Sequence, residues 1–250
     1  MKFIYQQIFY LPLYNLLAFL AEMVPTHNLG LAIIILTLLV KLVLFPFYHK
    51  TRKIQLKIKA IEPELKKIKQ ENAGNKQAEA LKTMALYREH GISPLSGFGI
   101  MLIQLPILFA LYGVFRESLA FDPNLLYSFV SAPETVNHVL FFIDLTKASY
   151  ILAILAGITQ FVQVKLALPG TPPADRNGDG KTTFSEDLAR SMNVQAKYFL
   201  PVMITLFSLG LPGAISLYWV VGNLFMIAHE LLVKHRAKVA FTAPNLSSTV

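Results

Sequence analysis

The chain has 250 residues, 54% of them hydrophobic and only 15% charged, with 23 Lys and Arg against 15 Asp and Glu for a formal net charge of +8. That is more apolar and less charged than an average soluble domain, and it points to an integral membrane protein. Cysteine is absent from the sequence, which excludes disulfides, thiolate metal sites, cysteine nucleophiles and lipid-modified cysteine.

Residues 1–27 carry FIYQQIFYLPLYNLLAFLAEM at 3–23. Gln6, Gln7, Pro12, Asn15 and Glu22 interrupt this run and no A-x-A cleavage site is evident. An amphipathic helix on the outer surface accommodates those polar residues better than a sixth span or a signal peptide. Residues 28–49 form the first predicted span, since a helix needs about 20 apolar residues to cross a bilayer. Within it, LTLLVKLVLFPF at 36–47 holds one charge, Lys41.

Residues 50–92 are Lys-rich, yet Ile54, Ile58, Ile61, Leu65 and Ile68 recur at the spacing of a helix that packs on another helix. NAGNK at 72–76 breaks the run, and QAEALKTMALYREHG resumes it with Leu81, Met84 and Ala85 inward. This predicts a cytoplasmic helical hairpin, basic on its outer face. Residues 93–115 read as the second span, 116–148 as an extracytoplasmic connection in which Asp144 and Lys147 are spaced for a local ion pair, and 149–168 as the third span.

Residues 169–196 form a polar loop in which DRNGDGKTTFSE at 175–186 matches the calcium-loop pattern. Asp175, Asn177, Asp179, Lys181 (through its carbonyl) and Glu186 fall at ligand positions, with Gly180 at the turn. Against it, TPPA stands where an entering helix belongs and no second loop pairs with it. Ca2+ binding and an acidic loop that happens to fit are both open readings. LGLPGA at 209–214 divides the last apolar stretch into a short fourth span, 197–211, and a fifth, 212–233, followed by a basic tail, 234–250.

Orientation follows from Lys and Arg. Eleven lie between the first two spans, five from Lys165 to Lys197 and three in the tail, against Lys2, Arg116 and Lys147 on the other side. The positive-inside rule then predicts an outside N-terminus and a cytoplasmic C-terminus.

A charge at the middle of a span costs roughly 2.5–3.5 kcal/mol on insertion scales. Lys41 lies nine residues, or about 13 Å, from Lys50, and snorkelling covers only part of that distance, so local hydration is the better account. Other polar groups occur at membrane depth: Thr37 one turn from Lys41, Gln104, Gln160, Gln163, and Trp219 with Asn223. Facing one wet cavity they are tolerable. Gln104 and Asn223 serve equally well as interhelical hydrogen-bond glue.

The succession NLGLAIIILTLLVKLVLFPF, a basic hairpin ending MALYREHGISPLSG, LIQLPILFALY, DLTKASYILAILAGITQFVQVK and PGAISLYWVVGNLF resembles the YidC/Oxa/Alb family of membrane protein insertases, in its minimal five-span form. The resemblance implies five helices enclosing a hydrophilic groove open to the cytoplasm and to lipid, with a positive residue at the position of Lys41, where many members carry Arg. It implies nascent membrane proteins as clients, ribosomes or targeting factors at the hairpin and tail, the Sec translocon as an optional partner, no required cofactor and a bacterial inner-membrane location. Protease chemistry finds no support: the spans hold no Asp pair, and AHEL at 228–231 lacks the second His of a zinc helix. The rival readings are a small ion or solute transporter with Lys41 as counter-charge, and an assembly scaffold.

Overall fold

The computed structural model describes residues 2–72, 74–93, 96–117, 121–167 and 194–242. The chain starts with α1 (Lys2–Tyr5), a π-helical turn (Gln6–Tyr10) and α2 (Leu11–Met23), which follow one another without a break. A tight turn at Pro25–His27, with Thr26 at φ 58° and His27 at φ 48°, reverses the chain into α3 (Leu29–Ala60). Asn28 starts α3 as a cap: its Oδ1 accepts the Leu31 N–H at 3.1 Å, satisfying a donor that has no partner within the helix.

α3 is 32 residues long and passes through Pro46 without ending. The first predicted span and the first arm of the hairpin are thus one rod. It stops at Ile61, where φ −90° and ψ 6° turn the chain into α4 (Glu62–Glu71), with Pro63 in the first turn. After a turn with Gly74 at φ 99°, Asn75 caps α5 (Lys76–Glu89) by accepting the Ala78 N–H.

Ile54, Ile58, Leu65 and Ile68 gather around buried Ile61, Leu86 and Ile92. The inward residues of α5 differ from the expected Leu81, Met84 and Ala85, all of which are exposed. Leu86 and the half-buried Tyr87 face the cluster instead. The physical reason is that α5 meets the cluster near its C-terminal end, where Ile92 N–H bonds to the Tyr87 carbonyl, His90 stands 3.9 Å from Glu64 and the Lys57 ammonium donates to the His90 carbonyl.

α6 (Ser96–Glu117) buries Ile107, Ala110, Leu111, Val114 and Phe115, spacings of three and four that form one helical face. The following connection folds back against α2. Asn15 Nδ2 donates to the Leu125 carbonyl while its Oδ1 accepts the Tyr127 N–H, and the Tyr14 hydroxyl accepts the Asp122 N–H. A two-stranded hairpin, β1 (Val139–Leu140) and β2 (Ile143–Asp144), precedes α7 (Tyr150–Ala167). A π-helical turn (Gln195–Phe199), α8 (Leu200–Leu209) and α9 (Gly213–Thr242) complete the chain.

Buried residues of α2, α3, α6 and α9 form one core, including Tyr14, Leu17, Ile33, Leu36, Leu111, Val114, Ile215 and Tyr218. α7 packs against both α8 and α9. Gly157 is the contact point with α8, since a Cβ there would collide with the Thr205 hydroxyl.

The fold is that of a mostly helical membrane protein. Among the described residues four helices are long and apolar enough to cross a membrane: Phe3–Met23, Leu29–Ile58, Tyr150–Ala167 and Gly213–Val233. Gln104–Arg116 and Lys197–Leu209 are shorter apolar helices. One difference from the sequence reading stands out: the N-terminal segment is long and apolar enough to span. The apolar stretches Gln104–Arg116, part of the 22-residue α6, and Lys197–Leu209 fall on the expected second and fourth spans. α9 also continues to Thr242, nine residues beyond the expected end of the last span. The calcium-loop pattern at 175–186, with Asp175, Asn177, Asp179, Lys181 and Glu186, lies outside the described residues.

Candidate functional site

Thr37, Lys41, Leu44 and Tyr48 fall at i, i+4, i+7 and i+11 along α3, a single stripe that faces the core. Lys41 is only 7% exposed, whereas Leu42 and Val43 beside it are open on the outer surface of the helix. The charge therefore points inward, between α3, α6 and α9.

Its ammonium is held by neutral oxygens and aromatic faces. Nζ donates to the Tyr48 hydroxyl at 3.1 Å and reaches Gln104 Oε1 of α6 at 3.5 Å. Tyr48 donates in turn to Gln104 Oε1 at 3.1 Å, and Gln104 Nε2 donates to the Tyr218 hydroxyl of α9 at 2.9 Å. The ring centres of Tyr48 and Tyr218 lie 5.2 and 5.8 Å from Nζ, within the range of cation–π attraction. Among the described residues no carboxylate forms an ion pair with Lys41.

Gly222 makes room for this arrangement. An ideal Cβ at that position would stand 3.0 Å from Lys41 Cε and 3.6 Å from its Nζ. The backbone of α9 thus forms one wall of the lysine's site, and the three helices share a polar chain running Lys41, Tyr48, Gln104, Tyr218. Because no carboxylate among the described residues is paired with it, the ammonium is left available to an incoming anion.

The other expected site residues take different places. Thr37 is fully buried and donates to the Ile33 carbonyl of its own helix at 2.6 Å. Asn223 Nδ2 donates to the Thr159 hydroxyl at 3.2 Å and lies 3.5 Å from the Ala156 carbonyl, tying α9 to α7. Gln160 Nε2 meets Gln163 Oε1 at 3.5 Å along α7. Trp219 is half-buried against the apolar core. Lys41 and Gln104 are thus brought together directly, and Asn223, Gln160 and Gln163 form separate contacts.

Tyr48, Tyr218, Gly222 and Thr159 were absent from the sequence-level candidates. The only signal for Tyr48 was its place seven residues beyond Lys41 on the same stripe, and for Tyr218 and Gly222 their mutual i, i+4 spacing. Among the described residues no cluster of three or more His, Asp or Glu side chains is arranged to hold a metal.

The family described as 60Kd inner membrane protein matches residues 19–240. The membrane protein insertase YidC 2 of Bacillus anthracis is 33% identical over 237 residues, covering 92% of this chain and 81% of the relative. The membrane protein insertase MisCA of Bacillus subtilis is 34% identical, covering 89% and 76%. The membrane protein insertase YidC of Fusobacterium nucleatum is 35% identical, covering 88% and 96%.

Proposed function

The chain belongs to the 60Kd inner membrane protein family, the YidC/Oxa/Alb membrane protein insertases, and on that premise we propose that Lys41 is its working charge, set in a groove that receives the hydrophilic segments of client proteins. As an insertase of the bacterial inner membrane it acts on nascent membrane proteins in a lipid bilayer and catalyses no covalent reaction. The observation that carries the proposal is a buried ammonium on α3 that bonds to Tyr48 and Gln104 and, among the described residues, pairs with no carboxylate.

The barrier to insertion is desolvation. Carrying an unpaired acidic segment across about 30 Å of hydrocarbon strips it of water. A cation fixed partway across replaces part of that lost solvation electrostatically, and it acts strongly because its surroundings have a low dielectric. An arriving carboxylate displaces the weak Gln104 contact at 3.5 Å and takes its place on Nζ. The client's own apolar helix then leaves sideways into lipid, driven by burial of its apolar surface in hydrocarbon.

In this reading five helices, α3, α6, α7, α8 and α9, cross the membrane and surround the groove. The N-terminus lies outside and the C-terminus in the cytoplasm, and the segment Phe3–Met23 lies along the outer surface. The Lys-rich helices α4 and α5 and the basic end of α9 then face the cytoplasm, where ribosomes or targeting factors dock, with the Sec translocon as an optional neighbour. Net positive charge on that side supports the orientation.

The test is rescue of cells depleted of their own insertase, scored by integration of a small protein with an acidic translocated tail. Wild type and Lys41→Arg restore integration, and Lys41→Ala at equal expression does not. Full rescue by Lys41→Ala overturns the assignment of Lys41; a transporter would lose solute flux instead, and a scaffold would tolerate the change.

A further inference from the structure

The hairpin before α7 breaks a local rule. Leu140 pairs with Ile143, so Phe141 and Phe142 are the two central residues of a two-residue loop. Phe141 sits at φ 55°, a left-handed conformation that two-residue hairpins normally give to Gly, Asn or Asp and that a bulky residue rarely adopts. Neither ring returns anything to the fold, for Phe141 is 88% and Phe142 78% exposed. A strained backbone that displays two aromatic rings outward is the kind of local conflict found at functional positions.

The frame behind the tip is firmly held. Leu140 packs against Gly30, at whose position any Cβ would stand 2.7 Å from the Leu140 Cβ. Asn28 Nδ2 donates to the Val139 carbonyl at 2.8 Å, and the Leu29 N–H to the Asn137 carbonyl at 2.8 Å. On the other side the N–H groups of Gly213 and Ala214 donate to the carbonyls of Lys147 and Leu145 at 2.8 and 3.1 Å. The hairpin is therefore clamped to the first residues of two membrane-crossing helices, α3 and α9, and α7 starts six residues after it. The tip lies one or two residues beyond Leu140, within about 7 Å of that residue at strand spacing, and so near the start of α3, where Leu140 rests against Gly30. That is the depth at which aromatic side chains collect in membrane proteins, where their rings bridge hydrocarbon and headgroups.

We infer that the Phe141–Phe142 tip is a lipid-binding anchor, seated in the headgroup–acyl boundary of the leaflet on the side opposite the Lys-rich helices α4 and α5. A lipid interface fits better than a protein partner. Two rings offer about 300–500 Å², short of the ~800 Å² per partner of a specific protein interface, yet enough for interfacial partitioning. The first turns of α3 and α7 likewise expose apolar side chains, Leu31, Ile35, Ile151 and Ile154. By holding the ends of α3 and α9 at a fixed depth, the anchor sets the level of Lys41 in the bilayer.

The chain has a single tryptophan, Trp219, which makes the test direct. On a Trp219→Phe background, Phe141→Trp and Phe142→Trp are each reconstituted into phosphatidylethanolamine–phosphatidylglycerol vesicles with lipids brominated at graded depths. The expected result is emission at shorter wavelength than the urea-unfolded chain, protection from acrylamide, and strongest quenching by bromine nearest the glycerol backbone. Water-like emission with full acrylamide access and no bromolipid quenching overturns the anchor, and so does protection that appears only after a second protein is added. Phe142→Trp avoids the left-handed position and keeps the test valid if Phe141→Trp fails to fold. The readout does not involve insertion, so it stands or falls separately from the role of Lys41.

Discussion

Gly222 and Lys41 share one space, and the side chain allowed at one fixes where the other's ammonium sits. The tightest contact of a methyl group at 222 is with Lys41 Cε, near the far end of a flexible chain, at 3.0 Å. Gly222→Ala therefore keeps the fold and retains rescue within about twofold, because the lysine yields by a few tenths of an ångström. Gly222→Leu fills the space and drives Nζ away from Tyr48 and Gln104, so rescue falls to the level of Lys41→Ala at equal membrane abundance; normal rescue by Gly222→Leu would show that the position of the ammonium does not matter. Lys41 and Gln104 stood out in the sequence because polar residues in apolar runs are rare. Tyr48 and Tyr218 did not, since a tyrosine in such a run reads equally well as core or as interface. Asn223 shows the opposite difficulty: its amide is visible in the sequence, but only packing reveals that Thr159 on α7 takes it up.

At the scale of elements, the junction of α3 with the hairpin carries two separable contributions. Asn28→Ala removes the cap on Leu31 and leaves the Val139 carbonyl without its side-chain donor, a loss of about 2 kcal/mol. Asn28→Asp keeps the capping oxygen but loses the donor and falls in between. Thermal unfolding in detergent gives the order wild type, Asp, Ala; equal stability of all three would mean the cap is not felt. Asp144 sets a pH limit on the same hairpin. The Thr146 hydroxyl, at 2.6 Å, then the Lys147 ammonium, at 3.1 Å, and the Thr146 N–H hold its carboxyl down at about 2.

A carboxyl lowered in the folded state stabilises above its ordinary value near 3.8 and ceases to do so as pH falls through the folded value. Amide protection of the hairpin, corrected for intrinsic exchange, is then constant above about pH 5 and declines towards pH 2. Asp144→Asn abolishes that decline; an unchanged profile would remove Asp144 from the account. Spacing alone suggested the Asp144–Lys147 pair, because three residues is a local contact. The packing of α5 was not legible in the same way. A helical pattern marks an apolar face, but it does not say that the partner covers only one end of the helix.

For the molecule as a whole, the membrane class and the insertase family were readable because composition, charge asymmetry and several segments in order point the same way. The division of the chain was less so. The first span continues through Pro46 into the Lys-rich arm as one 32-residue helix, since no residue between 29 and 60 breaks the backbone despite the change from apolar to basic. The aromatic tip was invisible for a related reason: two phenylalanines in a sequence rich in them signal core, and only the clamped hairpin shows that they face outward.

The measurement that bears most directly on the whole account is a double-mutant cycle between the insertase and its client. Integration is scored for wild type and Lys41→Ala, each with a client whose translocated tail carries its acidic residues or their Asn and Gln counterparts. If Lys41 acts by solvating those carboxylates, neutralising the tail removes most of the defect of Lys41→Ala, with a coupling of about 1–2 kcal/mol, or roughly five- to thirtyfold in integration yield. An equal loss with acidic and neutral tails would contradict the account and leave Lys41 as a structural cation only.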